Sequence, residues 1–331
     1  MNLAEINVCP GTLAAGFATY SPACRRRLFE GKKVSHVLPF GPSEEGAIFL
    51  ENRNRISISG VQEKLSMVLD GQALRLTRLG EGGTFILKPI PRDLKRVEQV
   101  PANEHLTMQI AQQVFGVNTA ENALVFFPDG TPAYLTRRFE VKPDGSKWGL
   151  EDFAALSGKT ADNAQPNFKY SGSYEEMAGI LKRFVAGWRV EIERFFTLVL
   201  FNYAFSNGDA HWKNFSLMET ASGDYLLSPA YDLLNTHIHV SDTDFALEKG
   251  LFDDGFRSPA WKKNGHPAAV DFEEFGRRIG VLEKRLEKLI QPFLVRQPLA
   301  EAMIERSFLE ETAKRSYLLY YQTKRNNLIK R

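Results

Sequence analysis

Residues 207–215 read NGDAHWKNF, and residues 226–234 read LLSPAYDLL. The first is a polar loop signature in which Asp209 and Asn214 stand at Asp-x4-Asn spacing; the second ends a strand-like run at Asp232. Asp and Asn are common in surface turns, so the loop alone says little. Apolar runs flank both segments, however, and such runs can hold their polar groups in place. Phosphoryl transfer needs a carboxylate that orients an attacking hydroxyl, and oxygen ligands that hold a hard Mg²⁺ against the β- and γ-phosphates. On that chemistry Asp209 is the candidate catalytic base, and Asn214 and Asp232 are the candidate metal ligands.

The texture of the chain changes along its length. Residues 1–45 are rich in Pro, Gly and basic residues and look irregular, with short helical pieces. AIFLE, KLSMVLD, ALRLT and TFILKPI then read as short strands separated by Gly, Asp and Asn. PANEHLTMQIAQQVFG has helical spacing, with Leu106, Ile110 and Val114 on one face and Gly116 as a stop. ALVFF and PAYLTRRF resume strands across the turn PDGTP. After KPDGSKWG helices dominate, ending in one long C-terminal helix through EAMIERSFLEETAKRSYLLYY. A β-rich part with one helix, followed by a mostly helical part, predicts an α+β fold of two lobes. The N-lobe is expected at residues 1–140 and the C-lobe at 141–331, with a hinge near 137–146.

Composition excludes several classes. The chain has 331 residues, 43% of them hydrophobic and 25% charged, and a formal net charge of +2. That is ordinary for a globular protein and names no nucleic-acid partner. No apolar run reaches membrane-span length and no secretory leader is visible, so a cytoplasmic location is expected. Cys9 and Cys24 are too few for a four-cysteine metal site and read as free thiols.

Further candidates lie around the central pair. Lys88 ends the apolar run TFIL, where an ammonium can reach phosphate oxygens as a point charge; the alternative is a solvated strand end. Glu104, near the start of the next helix, is spaced to pair with it. ISISGVQEKLS, residues 56–66, is a candidate phosphate cover, because backbone amides of a turn at Gly60 can cradle phosphates. It lacks a GxGxxG or Walker pattern and also reads as a polar turn. Ser57 and Ser59 are candidate modification sites there. His211 and Lys213 read as loop-shaping or nucleotide-contacting residues. His237 and His239 show strand-like alternation, more in keeping with a strand face than a metal pair. The basic C-terminus, interleaved with Tyr317, Tyr320 and Tyr321, reads as a solvated helix face with tyrosines packed inward.

Taken in order, SISGVQEK, FILKP, NEHL, RRFE, LEDFAALSG, NGDAHWKNFSL and LSPAYDLL resemble the HipA-like serine/threonine kinases of bacterial toxin–antitoxin systems. The resemblance runs from about residue 47 to 290 and implies a two-lobed, phosphoinositide-kinase-like fold that uses ATP and Mg²⁺. By position it gives Asp209 the catalytic role, Asn214 and Asp232 the metal, and Lys88 an ATP phosphate. It places adenine at the backbone of Arg137 to Phe139, and nucleotide contacts at Ser59, Gly60, Val61, Gln62, Glu63, Lys64, His211, Lys213 and Tyr231. Ser57 aligns with the loop serine that the family autophosphorylates, and Ser59 adds a second hydroxyl. Arg137 stands where the family has Glu, which spares a backbone contact to adenine but not a side-chain one.

The chain is shorter than full-length members and resembles the short HipT form. That form implies a HipB-like helix-turn-helix antitoxin, a small HipS-like protein, DNA only through the antitoxin, and tryptophanyl-tRNA synthetase as the target whose modification inhibits translation. Two other readings stay open. A lipid or small-molecule kinase shares the Asp-x4-Asn and Asp pattern; a lipid kinase would show a basic or amphipathic membrane-facing segment, for which only the C-terminus qualifies. A non-catalytic partner of a DNA-binding antitoxin would have lost Asp209, Asn214, Asp232 or Lys88, and all four are present.

Overall fold

The computed structural model describes residues 6–41, 63–91, 95–159 and 167–330. An antiparallel sheet is built from β1 (Leu65–Asp70), β2 (Ala73–Leu76), β3 (Phe85–Lys88), β4 (Asn122–Phe126) and β5 (Pro132–Arg137), in the order β2-β1-β3-β5-β4. Both faces are covered, and the sequence of β4 shows how. Leu124 and Phe126 point into the core shared with the helical half, while Ala123 and Val125 point to the other side. That alternation is the period of an extended chain, here apolar from Ala123 to Phe126 because neither face meets water.

On the outer face the N-terminal segment folds over the sheet. Cys9, Tyr20, Cys24, Leu28 and Phe29 pack there against Phe85, Leu87 and Leu135. Helix α1 (Pro22–Phe29) starts at Ser21, whose hydroxyl accepts the Cys24 N–H, and ends at Glu30 in a left-handed conformation. On the inner face lies α2 (Val100–Gln113), which is buried along nearly its whole length and stops before Gly116 at φ +65°. The predicted AIFLE strand lies outside the described residues.

The second half begins with β6 (Leu150–Asp152), which joins β7 (Ser216–Glu219) and β8 (Tyr225–Leu227) in a three-stranded sheet. A short α3 (Phe153–Leu156) and α4 (Tyr174–Phe184) precede α5 (Trp188–Ala204). From Phe195 to Ala204 only Thr197 on α5 is not buried, so this helix is the axis of the core rather than an amphipathic surface helix. Around it pack α6 (Pro259–Asn264), α7 (Ala269–Ile279), α8 (Glu283–Leu294), α9 (Pro298–Arg306) and α10 (Glu311–Ile329).

Two expectations need correction. The long C-terminal helix is two helices, interrupted at Ser307–Glu310. Leu309 is buried and the Phe308 ring sits 5.6 Å from that of Phe126, while Gln99 Oε1 accepts the Glu310 N–H at 2.8 Å. Packing against the N-terminal half therefore overrides helix propensity at that point. The second correction concerns His237 and His239, which lie in and beside a 3₁₀ turn over Thr236–Ile238, not in a strand. His239 is buried, with Nδ1 donating to the Lys95 carbonyl and Nε2 accepting from Asn103. Both imidazole nitrogens are thus used structurally. As read from the sequence, Tyr317 and Tyr321 are buried.

Gly276 marks the closest approach of α7 to its neighbours. A Cβ there would stand 2.2 Å from Leu286 Cδ2 and 3.1 Å from Phe196 Cε2. Gly276→Ala gains at most about 1 kcal/mol of helix propensity but forces overpacking that costs about 1–3 kcal/mol. The expected outcome is a net destabilisation, read as a lower urea midpoint with an unchanged m-value.

Candidate active site

Lys88 is the last residue of β3, paired in register with Tyr134 on β5. Its ammonium is only 6% exposed and does not reach solvent as a strand-end lysine would. It donates to Glu104 Oε1 at 2.6 Å and also to Asp232 Oδ1. Glu104, the fifth residue of α2, has a side chain 3% exposed. Burial resists the charge on Lys88, but the carboxylates of Asp232 and Glu104 outweigh it and hold the ammonium protonated, above its ordinary range. Burial pushes the Glu104 carboxyl up, with Lys88 pulling the other way. For Asp232 burial also acts upward, and the neighbouring Lys88 overrides it, bringing the carboxyl down to about 2.

The backbone around Asp232 is held by several independent ties. Ala230 forms a parallel bridge with Thr119, its N–H donating to the Asn118 carbonyl and its own carbonyl accepting from the Ala120 N–H. Asn103, next to Glu104 on α2, receives the Asn235 N–H at 3.0 Å and returns a bond to the Asn235 carbonyl at 2.8 Å. One helix thus sets both the ion pair and the chain beyond it. Asp232 itself has φ +55°, a left-handed conformation that costs a non-glycine residue about 1–2 kcal/mol. Ser206, just before the polar loop, shares that φ. Thr236 joins the two segments: its hydroxyl donates to the Ser206 carbonyl and accepts the Gly208 N–H.

The polar loop follows directly on α5. Asp209 is half exposed, with its side chain 48% accessible, and its Oδ1 accepts the Tyr170 hydroxyl at 2.8 Å. Burial, and then the nearby Asp209 charge, raise the Tyr170 hydroxyl well above its usual range, so it stays a donor. Asp209 Oδ2 has no hydrogen-bond partner among the described residues. His211 is buried, with Nε2 3.9 Å from Asp209 Oδ1 and its ring on edge to Tyr170 at 5.2 Å. Burial lowers its pKa although Asp209 works in the opposite direction, so the ring is neutral near pH 7. Its backbone N–H binds Asn214 Oδ1 at 3.2 Å, and Asn214 Nδ2 reaches Asp232 Oδ2 at 3.4 Å. Asp209, Asn214, Asp232, Lys88 and Glu104 therefore belong to one connected constellation.

The donor set fits Mg²⁺. Asp232 offers a carboxylate whose Oδ2 makes only that long contact, and Asn214 would add its amide oxygen once the amide turns over, since Oδ1 now accepts from His211 and Nδ2 faces Asp232. Two hard oxygen ligands suffice for a cation that keeps waters and takes the rest of its shell from phosphates. Among the described residues no cluster of three His, Cys, Asp or Glu side chains competes for a metal.

The hinge-side residues also converge. The Phe139 ring stacks on Tyr231 at 6.0 Å, and the Tyr231 hydroxyl donates to the Lys213 carbonyl and accepts from Ser216. Of the three backbone N–H groups at 137–139, that of Arg137 is used by Glu121 and that of Arg138 by Thr84. Only the Phe139 N–H has no partner among the described residues. The Arg137 guanidinium turns away to Glu30 at 2.7 Å. Glu63 and Lys64 lie at the start of the first strand, whereas Ser57, Ser59, Gly60, Val61 and Gln62 lie outside the described residues. Lys213 sits over the Phe168 ring.

Sequence reasoning missed Tyr170, Asn103 and Thr236. Asn103 was within reach, since it adjoins Glu104 in NEHL. Tyr170 carries no local signal, because its partner lies on the far side of α4 and α5.

The comparisons with known proteins follow this geometry. A family model described as the HipA-like C-terminal domain matches residues 56–300. The chain belongs to that family. A Haemophilus influenzae protein carrying the name "Putative kinase" is 25% identical over 326 residues, covering 94% of this chain and 93% of its own. The serine/threonine-protein kinase toxin HipA of Shewanella oneidensis is 27% identical over 62% of this chain, which spans only 48% of that toxin. A chain from the solved Shewanella oneidensis complex of HipA, HipB and operator DNA superposes with a TM-score of 0.63 at 20% identity, over 87% of this chain and 71% of that one. The mixed α+β, kinase-like fold read from the sequence is thereby established.

Removing the cation from the buried pair strands Glu104. Lys88→Met should cost about 3–5 kcal/mol, and the double variant Lys88→Met/Glu104→Gln should recover much of it; urea unfolding of both checks this. The acid limb gives a separate readout. The folded pKa of Asp232, about 2, lies below its unfolded value of about 3.9, so its contribution to stability is complete above that value. It is lost as pH falls toward 2, and Asp232→Asn should show a shallower loss of stability between pH 4 and 2.

Proposed function

We propose that the chain is an ATP-dependent serine/threonine protein kinase, acting as the toxin of a toxin–antitoxin pair. The observation that carries this reading is the buried Lys88 held between Glu104 and Asp232, beside a loop that presents Asp209 and Asn214. A lysine sequestered by two carboxylates has little value as a surface charge, but it is pre-positioned for phosphate oxygens.

The chemistry assigns each group a task. A substrate hydroxyl attacks the γ-phosphorus, its proton passes to Asp209, and the bond to the β–γ bridging oxygen breaks to release ADP. The Tyr170 hydroxyl on Oδ1 fixes the carboxylate and leaves Oδ2 to face the attacking hydroxyl. Asn214 and Asp232 would hold Mg²⁺, which supplies neutralisation of the phosphate charge when bound. Phe139 and Tyr231 would form one wall for adenine, with the Phe139 N–H as the hinge donor. The N-lobe (1–140) and C-lobe (141–331) then contribute the two sides of the nucleotide cleft.

The family and its relatives support a finer reading. A HipB-like antitoxin is the natural partner, because the similar solved structure pairs HipA with HipB on operator DNA. A small HipS-like protein and tryptophanyl-tRNA synthetase as target follow from the likeness to the short HipT form. Ser57 and Ser59 are proposed as autophosphorylation sites beside the γ-phosphate, where about −1.5 to −2 of added charge would oppose ATP. Against the lipid-kinase alternative, the buried Lys324 and Tyr321 tie one face of the C-terminal helix to the core, which favours a structural role for that helix.

Purified chain incubated with labelled ATP, Mg²⁺ and a cell lysate should label itself and a translation enzyme. Asp209→Asn and Asp232→Asn should each lower transfer by about 10³-fold or more, a loss of roughly 4 kcal/mol in transition-state stabilisation, with native circular dichroism. Mass spectrometry should find phosphate at Ser57 or Ser59 in the active protein and none in Asp232→Asn. Undiminished labelling by folded Asp232→Asn would remove the kinase assignment.

A further inference from the structure

A second concavity lies away from the lysine and its carboxylates. Its volume is about 520 Å³, within the range of small-molecule sites. Four pieces of chain meet around it: α5, α8, and the two paired segments at 115–118 and 227–230. Hydrocarbon from Val117, Leu198, Leu227, Leu289 and Phe293 lines the interior. The polar lining is unbalanced. Arg285 binds Glu193 in bidentate fashion at 2.8–3.1 Å, and Arg194 is paired with Glu191 at 2.8 Å, which leaves Lys288 as the cation of the lining without a carboxylate. Lys288 is exposed and has no ion pair among the described residues. An apolar interior with one uncompensated ammonium at its edge calls for a ligand with a hydrocarbon body and one anionic head.

The walls lead toward Asp232. Leu227 donates its N–H to the buried Glu191 Oε2 at 3.1 Å, and Glu191 is in turn paired with Arg194 at 2.8 Å. An anion that engages Arg194 competes for the partner of a carboxylate holding β8 in place. Two residues beyond the lining Ser228, Ala230 carries the bridge to Thr119 on the chain leaving α2, the helix of Glu104. A ligand here therefore touches both segments that position the Lys88 ion pair.

We propose that this cavity is an effector site for a small anionic amphiphile, a single apolar tail bearing a carboxylate, whose occupancy changes the affinity of the chain for nucleotide. Decanoate is the probe, with decanol as the neutral control of equal tail. Calorimetry should show one decanoate per chain with a dissociation constant of about 10–100 µM, and decanol weaker by about tenfold or more. Lys288→Glu at the rim should weaken decanoate by about tenfold, and Thr197→Trp, which fills the cavity, should abolish binding, both with unchanged thermal unfolding. Saturating decanoate should shift the affinity for a non-hydrolysable ATP analogue by about threefold or more, and the analogue should shift decanoate by the same factor. Asp232→Asn, inactive in transfer, should still bind decanoate, so this site stands or falls apart from the kinase reading. Equal binding of decanoate by wild type and both variants would overturn the site. Equal binding of decanol would overturn the anionic ligand and point to an apolar protein side chain as occupant. Unchanged nucleotide affinity at saturation would overturn the effector role.

Discussion

One cation between two carboxylates organises this molecule. Lys88 arrives from the sheet, Glu104 from α2 and Asp232 from the segment after β8, so the contact unites three parts of the fold at a point nearly closed to water. Removing the lysine leaves two carboxylates uncompensated, Glu104 among them at a site where charge is most costly. That constraint explains why the surrounding backbone is so fully hydrogen-bonded: Asn103 fastens Asn235, Ala230 pairs with Asn118 and Ala120, and Thr236 joins Ser206 to Gly208. A loosely held Asp232 would let water in and weaken the pair.

The same arrangement sets the character of the cleft. Lys88 and Asp232 neutralise each other as the chain stands, while Glu104 keeps the lysine from swinging away. A cation at Asp232 would free one face of the ammonium without moving its stem. Asp209 is in the opposite situation, half exposed and steadied by a neutral tyrosine and a neutral histidine. In the proposed kinase, buried charge would thus hold the nucleotide side, and the accessible Asp209 carboxylate would be left for the hydroxyl brought to it.

Much of this was legible in the residues. Short apolar or alternating runs marked the five strands of the larger sheet, and helical spacing with the Gly116 stop marked α2. FILKP and NEHL named Lys88 and Glu104 as a pair, whereas LSPAYDLL named Asp232 only as a metal ligand, and its contact with Lys88 was not foreseen. What stayed hidden depends on distant packing. No local rule breaks the C-terminal helix at Ser307; the Phe308 contact with Phe126 does. Tyr170 meets Asp209 only after two helices have folded between them. His237 and His239 alternate like strand residues, yet His239 serves as a buried bridge from Asn103 to Lys95.

The left-handed backbone at Ser206 and Asp232 has one more consequence. Glycine relaxes such a conformation at no steric cost, so replacing either residue by glycine relieves strain while eroding the geometry of the cleft. At Ser206 that relief removes no ion pair, whereas at Asp232 it would also remove the contact with Lys88. A library of this chain screened for soluble expression alone would therefore drift toward glycine at Ser206 while keeping the strained Asp232.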